Sequence, residues 1–201
     1  MSANNNISII NSTEKHGSLL LLLIAVFVLT LFFRVSIVDG NSMQGTLSDG
    51  DMLILLCREY TLECGDIVVV QDDSTVLKHP IIKRIIAMGG QTVRITPTDI
   101  YVDGVKLEES YVYTGDYIDA TGLSENYRYS VFPSDEIKDL VVDYVDGAYY
   151  EIVVPDGDLF LLGDHRNSSM DSREIGTVGE DTVIGKALIR FYPIDKIAIT
   201  E

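Results

Sequence analysis

Two residues in this sequence, Ser42 and Lys83, are of the types that together can carry out nucleophilic attack on a peptide bond. Ser42 lies in a glycine-rich stretch, residues 39–51, where a serine hydroxyl could be exposed. A serine hydroxyl is a weak nucleophile at its own pKa and needs a neighbouring base to take its proton. Taken alone, a serine in such a loop is more often a turn residue, so the loop indicates catalysis only if the chain also supplies a base.

A lysine is the base that the sequence favours. The sequence has only three histidines, so a Ser-His-Asp triad has few candidates; they are His16, His79 and His165. Lys83 lies in the apolar segment 81–90, where partial dehydration of the ammonium would lower its pKa and favour the neutral amine. A lysine in such a strand is otherwise most often salt-bridged or turned to the surface. Both roles remain open for Lys83 on this segment alone.

A long apolar run predicts a transmembrane helix over residues 17–38. The run reads GSLLLLLIAVFVLTLFFRVSIV and supplies the roughly 20 residues that cross a hydrocarbon core, with Arg34 able to extend its charge to the interface. A cleaved secretory signal is the alternative, but the run exceeds a usual signal core and no A-x-A-like site follows it. The flanking charges, Lys15 and Arg34, are too balanced to fix the orientation.

The remainder of the chain is strongly acidic. The 201 residues carry a formal charge of −16, and the first forty contribute none of it because two basic and two acidic residues cancel there. Such a surface repels nucleic-acid phosphates and anionic headgroups, so we expect no nucleic-acid partner. A merely solubilising surface is the simplest interpretation of the charge. The length fits one ordinary domain with a short additional element.

The two cysteines, Cys57 and Cys64, give no support to a metal site. They form no C-x-x-C motif, and no histidine stands beside them at metal-ligand spacing. Their spacing alone does not establish the geometry that a disulfide requires. We therefore expect free thiols, no metal and no cofactor.

Short runs rich in Val, Ile and Tyr predict that residues 39–201 form a mainly β, predominantly antiparallel domain. No stretch beyond Val38 keeps a helical apolar period. The predicted strands are Met52–Leu56, Ile67–Gln71, Lys83–Met88, Thr92–Thr96, Ile100–Val102, Leu159–Leu162 and Ala187–Tyr192. Two Asp-Gly pairs, within residues 102–105 and 155–158, are typical of tight turns between strands.

Residues 107–150 differ in composition, and we expect them to form a small inserted subdomain. They are acidic and rich in tyrosine, including Tyr111, Tyr113, Tyr117, Tyr127, Tyr144, Tyr149 and Tyr150. Core and cross-strand packing is the more common role of such residues. A surface that contacts substrate is the alternative.

Four segments, taken in order, resemble the sequence boxes of bacterial type I signal peptidases. Residues 42–47, SMQGTL, resemble the nucleophile box, and residues 65–70, GDIVVV, resemble the strand box that follows it. Residues 83–90, KRIIAMGG, resemble the lysine box. Residues 163–176, GDHRNSSMDSREIG, are the longest match, to the last box. The resemblance runs from the apolar run almost to the C-terminus, and the single anchor is similar to that of Gram-positive members.

This resemblance implies a membrane-bound serine endopeptidase that removes N-terminal signal peptides from exported preproteins and cleaves after small residues. Ser42 would form an acyl-enzyme, with Lys83 as the base for its formation and its hydrolysis. Ser169 would hydrogen-bond the Lys83 amine and orient it. The Ser42 N–H would donate to the oxyanion, in a region that also includes Gly40.

The resemblance also assigns supporting residues in the last box. Asp171 would pair with Arg173 or Arg84 and hold the loop in place. An ordinary surface ion pair is the alternative for Asp171 and Arg173. For Asp164 and His165 we expect a structural turn rather than a catalytic role.

The topology that the resemblance implies is single-pass at the plasma membrane. Residues 1–16 would be cytoplasmic, residues 17–38 would span the lipid bilayer, and the peptidase domain 39–201 would be extracytoplasmic. The site would then lie close to the bilayer, where precursor cleavage sites emerge, and within reach of the secretion machinery.

Several positions depart from the family's pattern. Gly45 and Gly89 stand where prolines are usual, Gln91 where an acidic residue is usual, and His165 where an asparagine is usual. Gly40 stands where some relatives carry a serine that helps to bind the oxyanion. These departures leave open a catalytically silent, membrane-anchored binding protein. A specialised self-cleaving Ser-Lys peptidase is a further alternative, which the apolar run and the last box disfavour.

Overall fold

The computed structural model describes residues 18–71, 79–113, 133–135, 137–146 and 148–200. The predicted cytoplasmic segment, residues 1–16, lies outside these residues. So do residues 114–132 of the predicted insert, with Tyr117 and Tyr127.

The first described element is a helix, α1, over residues 18–32. The chain then passes directly into a strand, so the prediction that helix continues to Val38 is wrong. The physical reason is that Val35 and Ile37, both β-branched, pair with a neighbouring strand across from Ile54 and Met52. Among the described residues, no helix has the length and apolar character needed to cross a membrane.

The described part of the chain forms two antiparallel sheets, which confirms the prediction of a mainly β domain. The strands, in chain order, are β1 (Phe33–Ile37), β2 (Met52–Leu56), β3 (Ile67–Val70), β4 (Ile81–Met88), β5 (Thr92–Ile95), β6 (Ile100–Val102), β7 (Val105–Lys106), β8 (Val141–Val145), β9 (Tyr149–Val153), β10 (Asp158–Leu162), β11 (Val178–Gly179), β12 (Val183–Tyr192) and β13 (Ala198–Ile199). The first sheet has the order β1-β2-β12-β3-β4-β10-β11, with β13 paired to β12, and the second has the order β7-β6-β5-β9-β8.

The buried faces of the strands explain why the two sheets pack together. Ile86 and Phe160 of the first sheet share one core with Ile95, Tyr150 and Ile152 of the second. Strand β4 is buried along most of its length, as its unbroken apolar sequence predicts for a central strand. The central position of β4 fixes the backbone that carries the lysine of the candidate site.

A second core lies beneath the glycine-rich stretch that follows β1. Met43 and Leu47 of that stretch pack against Leu53, Ile67 and Ala187. Strand β2 alternates, with Leu53 and Leu55 buried and its other residues half-buried. The side chains of Met43 and Leu47 thus anchor the loop, and its polar residues remain available for the candidate site.

All seven predicted strands are present within a few residues of their predicted limits, although β12 begins earlier, at Val183. The turn between β6 and β7 has positive φ angles at Asp103 and Gly104, 52° and 77°, as a tight Asp-Gly hairpin requires. Cys57 and Cys64 are free thiols, as expected.

The predicted subdomain boundary at residue 150 is wrong. Strand β9 crosses that boundary and pairs with both β5 and β8 in the second sheet. Tyr150 and Ile137 lie in the core between the sheets, so the described residues 137–150 are part of the main domain. The acidic, tyrosine-rich composition of this segment gave no indication that some of its side chains are buried in the core.

Candidate active site

Ser42 and Lys83 lie in direct contact. The Lys83 Nζ donates a hydrogen bond to Ser42 Oγ at 2.9 Å and another to the Ile82 carbonyl at 3.0 Å. Lys83 is only 3% exposed and is held on β4, across from Val68 of β3. The two residues are separated by 41 positions in the chain, and the sheet and the loop core bring them together.

The environment of Lys83 favours the neutral amine. Burial lowers the pKa of Lys83 below its ordinary value; the charges of Asp171 and Asp164 oppose this shift, and that of Arg173 adds to it. A neutral amine has a lone pair and can accept the Ser42 hydroxyl proton. The pair therefore has the geometry and the electrostatics of a nucleophile and its general base.

Local turns present Ser42 at the start of the loop. The amides of Thr46 and Leu47 bond to the Met43 carbonyl at 3.1 and 2.8 Å, and that of Gln44 bonds to the Asn41 carbonyl at 2.9 Å. No hydrogen bond from the Ser42 N–H occurs within the described part of the chain. This amide is therefore available to an oxyanion.

Gly40 does not offer a comparable donor. Its N–H donates to Asp49 Oδ1 at 2.9 Å, and as a glycine it has no hydroxyl. Its φ is +90°, and a Cβ there would meet nothing within 4 Å. Space for a side chain exists at this position, but the positive φ disfavours one.

Arg84, next to Lys83 in β4, holds the Ser42 loop in place. It forms a bidentate ion pair with Asp164 at 2.9 and 2.8 Å, and both side chains are buried. The same carboxylate accepts from Thr46 Oγ1 at 2.5 Å, and Arg84 Nη2 donates to that hydroxyl at 3.0 Å. Arg84 therefore pairs with Asp164 and not with Asp171, the partner that the sequence offered for it.

Asp171 pairs with Arg173, the other predicted partner, through bonds of 2.7 and 2.8 Å. Asp171 is buried and Arg173 is only 13% exposed, so the alternative of a surface ion pair is wrong. Asp171 Oδ2 also accepts from the Gly163 N–H at 3.0 Å, and its side chain caps the short helix α2 (Ser172–Ile175). One carboxylate thus fixes both ends of the loop.

Ser169 does not make the hydrogen bond to the Lys83 amine that the family resemblance implied. Its Oγ is buried and has no hydrogen-bond partner among the described residues, so the expected bond to Lys83 is not formed in this structure. A Cβ built on Gly163 would meet Ser169 Oγ at 2.2 Å and the Ser42 carbonyl oxygen at 2.5 Å. Only a glycine at 163 permits this close approach.

A groove of about 400 Å³ leads to the pair. Residues 36–39, Ser42 and Met43 line one side, and Val69 and residues 79–83 line the other. His79 lies here, two residues before β4. An extended peptide in this groove would bring a backbone carbonyl to Ser42.

The contacts of Arg84 with Asp164 and Tyr111 were not predicted from the sequence, which indicated only a structural turn at Asp164. Asp164 follows β10 by two residues, and Leu162 of β10 pairs with Arg84, so a β4–β10 pairing would have predicted the contact. Tyr111 packs on Arg84, with the guanidinium carbon 4.0 Å from the ring centroid. Burial raises the pKa of Tyr111 to about 12, so its hydroxyl stays protonated at neutral pH.

Comparison with known proteins finds relatives that match most of the chain. The family model described as "Signal peptidase, peptidase S26" matches residues 15–192. Signal peptidase I of Streptococcus pneumoniae R6 is 29% identical over 199 residues, covering 93% of this chain and 96% of that protein. Signal peptidase I T of Bacillus subtilis is 30% identical over 183 residues, covering 89% and 84% of the two chains.

A probable signal peptidase I-1 of Synechocystis is 31% identical over 189 residues, with 87% of this chain and 82% of that protein covered. A crystal structure of a signal peptidase I from Enterococcus faecalis aligns with a TM-score of 0.44 and 25% identity, covering 64% of this chain and 97% of that one.

Proposed function

The chain belongs to the signal peptidase family S26 and is therefore a serine peptidase that removes signal peptides from exported preproteins, and we propose that Ser42 and Lys83 are its catalytic dyad. The observation that carries this proposal is the 2.9 Å contact between Lys83 Nζ and Ser42 Oγ at a buried position. A buried lysine with a lowered pKa is suited to act as a base near neutral pH.

In the proposed mechanism, the neutral Lys83 amine takes the Ser42 proton as Oγ attacks the scissile carbonyl. The tetrahedral intermediate collapses to an acyl-enzyme, and the lysine ammonium returns its proton to the leaving amine. Lys83 then takes a proton from a water molecule that attacks the acyl-enzyme, and the acid product is released as the Ser42 hydroxyl re-forms. One base thus serves both steps.

The free Ser42 N–H is the proposed oxyanion donor. Removing a single donor of this kind in other hydrolases costs about 3–4 kcal/mol of transition-state stabilisation. Because Gly40 donates to Asp49 and carries no hydroxyl, it contributes a second donor only if that bond is released.

Ser169 is proposed to orient the lysine during turnover. A buried hydroxyl without a partner is unfavourable by about 1–3 kcal/mol, and Ser169 Oγ lies beside Gly163 and the Ser42 carbonyl. A small rotation that gives this hydroxyl a bond to the Lys83 amine would satisfy it and would fix the direction of the lone pair.

The substrate is proposed to lie in the groove as an extended peptide. The aliphatic side chains of Val69, Ile82 and Met43 line the groove beside Ser42. Such walls suit small apolar side chains at the first and third positions before the cut, as the family resemblance implies, and would exclude bulky ones.

A location at the outer face of the plasma membrane is the last part of the proposal. Helix α1 exposes its large apolar residues; Leu21 is 69% exposed and Phe27 is 64% exposed. Large exposed apolar surfaces are typical of membrane or protein contacts. Ser42 lies only ten residues after α1. Insertion of α1 into lipid, with the peptidase domain outside the cell, would therefore place Ser42 close to the bilayer.

The test is cleavage of a secretory precursor by the detergent-solubilised full chain, with the cut identified by mass spectrometry. Wild type should cleave once, after a small residue, and both Ser42→Ala and Lys83→Ala should lose this cleavage. Ser48→Ala in the same loop and Lys186→Ala on β12 are controls that should remain active. Persistent cleavage in both dyad variants would reject the dyad, and cleavage of the chain only within itself would instead indicate a self-cleaving peptidase.

A further inference from the structure

Residues 109–113, which we call the strap, follow β7 and contact the residues that flank Ser42 and Lys83. The strap has an ion pair and a backbone hydrogen bond to the loop that begins at Gly163. It also packs a ring on Arg84 of β4 and lies against Gly45 of the Ser42 loop. We propose that Tyr111 and Tyr113 of this strap are positioning residues that hold Ser42 against Lys83. The inference deepens the proposed function and depends on the Ser42–Lys83 dyad.

The first attachment is electrostatic. Glu109 forms an ion pair with Arg166 at 2.6 Å, and both side chains are buried. Arg166 Nε in turn donates to the Gly163 carbonyl at 2.8 Å. A buried pair of this kind tolerates little displacement, because separating the charges would leave each one desolvated and unpaired. The strap is therefore fixed to the loop that carries Asp164 and Ser169.

The second attachment is the ring of Tyr111. The guanidinium carbon of Arg84 lies 4.0 Å from the ring centroid, and that of Arg166 lies 6.0 Å from it. Both distances fall within the range of cation–π attraction. Arg84 adjoins Lys83 in β4 and bonds to Thr46 of the Ser42 loop, so this one ring supports both sides of the dyad.

The third attachment is a backbone contact that only glycine permits. Gly45 has a φ of +116°, and a Cβ built there would lie 2.4 Å from the Tyr111 carbonyl oxygen and 3.1 Å from the Tyr113 nitrogen. A proline, which the family usually carries here, has φ fixed near −65° and could not adopt this conformation. Gly45 therefore lets the strap backbone lie directly on the nucleophile loop.

The fourth attachment is made by Tyr113. Its N–H donates to the Asp164 carbonyl at 3.0 Å, and its ring lies 4.8 Å from the His165 ring, tilted by 59°. The His165 N–H donates to the Ser42 carbonyl at 3.0 Å. Tyr113 thus packs on the residue that holds the nucleophile's own backbone.

These contacts link two departures from the family's pattern through one element. Gly45 provides the space for the strap, and His165 provides an aromatic surface on which Tyr113 packs. The strap therefore replaces the local stiffness that a proline at position 45 would have given to the Ser42 loop. Val112, at the centre of the strap, is itself buried.

The experiment measures kcat, KM and the pH dependence of kcat/KM for the full chain in detergent, with a peptide that spans a precursor cleavage site. Tyr111→Leu should lower kcat on the order of tenfold to a hundredfold, the effect of a displacement of about 1 Å in a reacting group, and should change KM little. Its apparent lysine pKa should move up toward the ordinary value, because displacement of the Ser42 loop would leave Lys83 less buried. Tyr111→Phe keeps the ring and should retain both the rate and the pKa.

Tyr113→Leu and Gly45→Ala should each change the rate and the apparent pKa in the same direction as Tyr111→Leu. Tyr144→Leu, at an exposed position of β8, is the matched control and should behave as wild type. Melting temperatures establish that every variant is folded at the assay temperature. If Tyr111→Leu is not folded there, Tyr113→Leu decides the question.

An unchanged pH midpoint and rate in both leucine variants would overturn the positioning role. An equal loss of rate in Tyr111→Phe would also overturn it, because the ring would then not be the active feature. Failure of the dyad itself would be visible separately, as an inactive wild type or an active Ser42→Ala.

Discussion

Two opposing influences act on the pKa of Lys83, and their balance decides whether this residue is suited to the proposed role of base. Burial favours the neutral amine, whereas the carboxylates of Asp171 and Asp164 favour the ammonium, and the net effect is a lowered pKa. Each carboxylate is itself paired with an arginine, Asp171 with Arg173 and Asp164 with Arg84. The arginines reduce the field that would otherwise hold Lys83 in its charged form.

The first prediction is the pH dependence of activity. Because the base must be neutral, kcat/KM should be low at acid pH and should rise with an apparent pKa below the ordinary lysine value of 10.5. Asp164→Asn removes a charge that raises this pKa, so its profile should shift to lower pH. A midpoint at or above 10.5 in wild type, measured under initial-rate conditions, would contradict a buried lysine base.

The second prediction separates activity from stability at Ser169. Ser169→Ala removes a buried hydroxyl without a partner in the described residues, so its free energy of unfolding should stay equal or rise by about 1 kcal/mol. Its kcat should nevertheless fall on the order of tenfold to a hundredfold, because the lysine amine loses its orienting bond in the transition state. Urea unfolding and steady-state kinetics measure the two effects.

Ser168→Ala, which alters an exposed serine one residue earlier, is the control and should change neither quantity. Full activity in Ser169→Ala would leave Ser169 with a packing role only.

At the scale of elements, the apolar runs of β3, β4 and β10 were sufficient to predict strands. The boxes singled out Ser42 and Lys83, which the structure brings into contact. The pairing of β4 with β10 was not predictable from composition, and the Arg84–Asp164 contact depends on that pairing. Strand β1 was not predicted from the sequence, because its residues continue the apolar run of α1.

The bond between Gly40 and Asp49 could not be predicted either, because it depends on a loop conformation with a positive φ at Gly40. The eight tyrosines of the predicted insert likewise gave no signal of which would pack in the core. Tyr150 does so because β9 pairs with β5 and its side chain faces the first sheet.

The third prediction concerns the link between β4 and the loop after β10. Asp164→Asn leaves the buried Arg84 guanidinium without its counter-charge, and removing one partner of such a pair costs about 3–5 kcal/mol. The melting temperature should fall by roughly 2–4 °C for each kcal/mol in a domain of this size. Differential scanning calorimetry of the detergent-solubilised chain measures the change.

The cross-strand pair between Arg94 and Glu151 is the matched control, because Arg94 is 42% exposed there. Glu151→Gln should cost no more than about 1 kcal/mol. Equal losses in the two variants would mean that the Arg84–Asp164 pair does not fix the loop more firmly than a surface pair does.

At the scale of the whole molecule, an apolar face continues from α1 across the first sheet. Val35, Ile54, Ile189 and Ile199 lie opposite one another on four successive strands, β1, β2, β12 and β13. Val35 is 61% exposed and Ile199 is 71% exposed. The chain is otherwise acidic, with a net charge of −16, so anionic lipid headgroups would repel most of its surface. Contact with a bilayer through this face would therefore depend on apolar burial rather than on charge.

The last prediction tests whether this face orients the site on a membrane. Ile194 and Ile199, 77% and 71% exposed at the end of the chain beside β12, should insert into the headgroup region, where each buried CH₂ contributes about 0.8 kcal/mol. Ile194→Asn combined with Ile199→Asn should slow cleavage of a precursor embedded in neutral phosphatidylcholine vesicles, while cleavage of a soluble peptide stays unchanged. High salt should not relieve the defect, because the lost contact is apolar.

Val105→Asn combined with Val142→Asn is the control, since both residues are exposed on the second sheet and should not contribute to this contact. If the two double variants lose the same activity on vesicles, the apolar face has no special part in orientation and α1 alone would set the position of the site. If only the first loses activity, and only on vesicles, the sheet itself is part of the membrane contact, and the groove between β1 and β4 is held where a precursor leaves the bilayer.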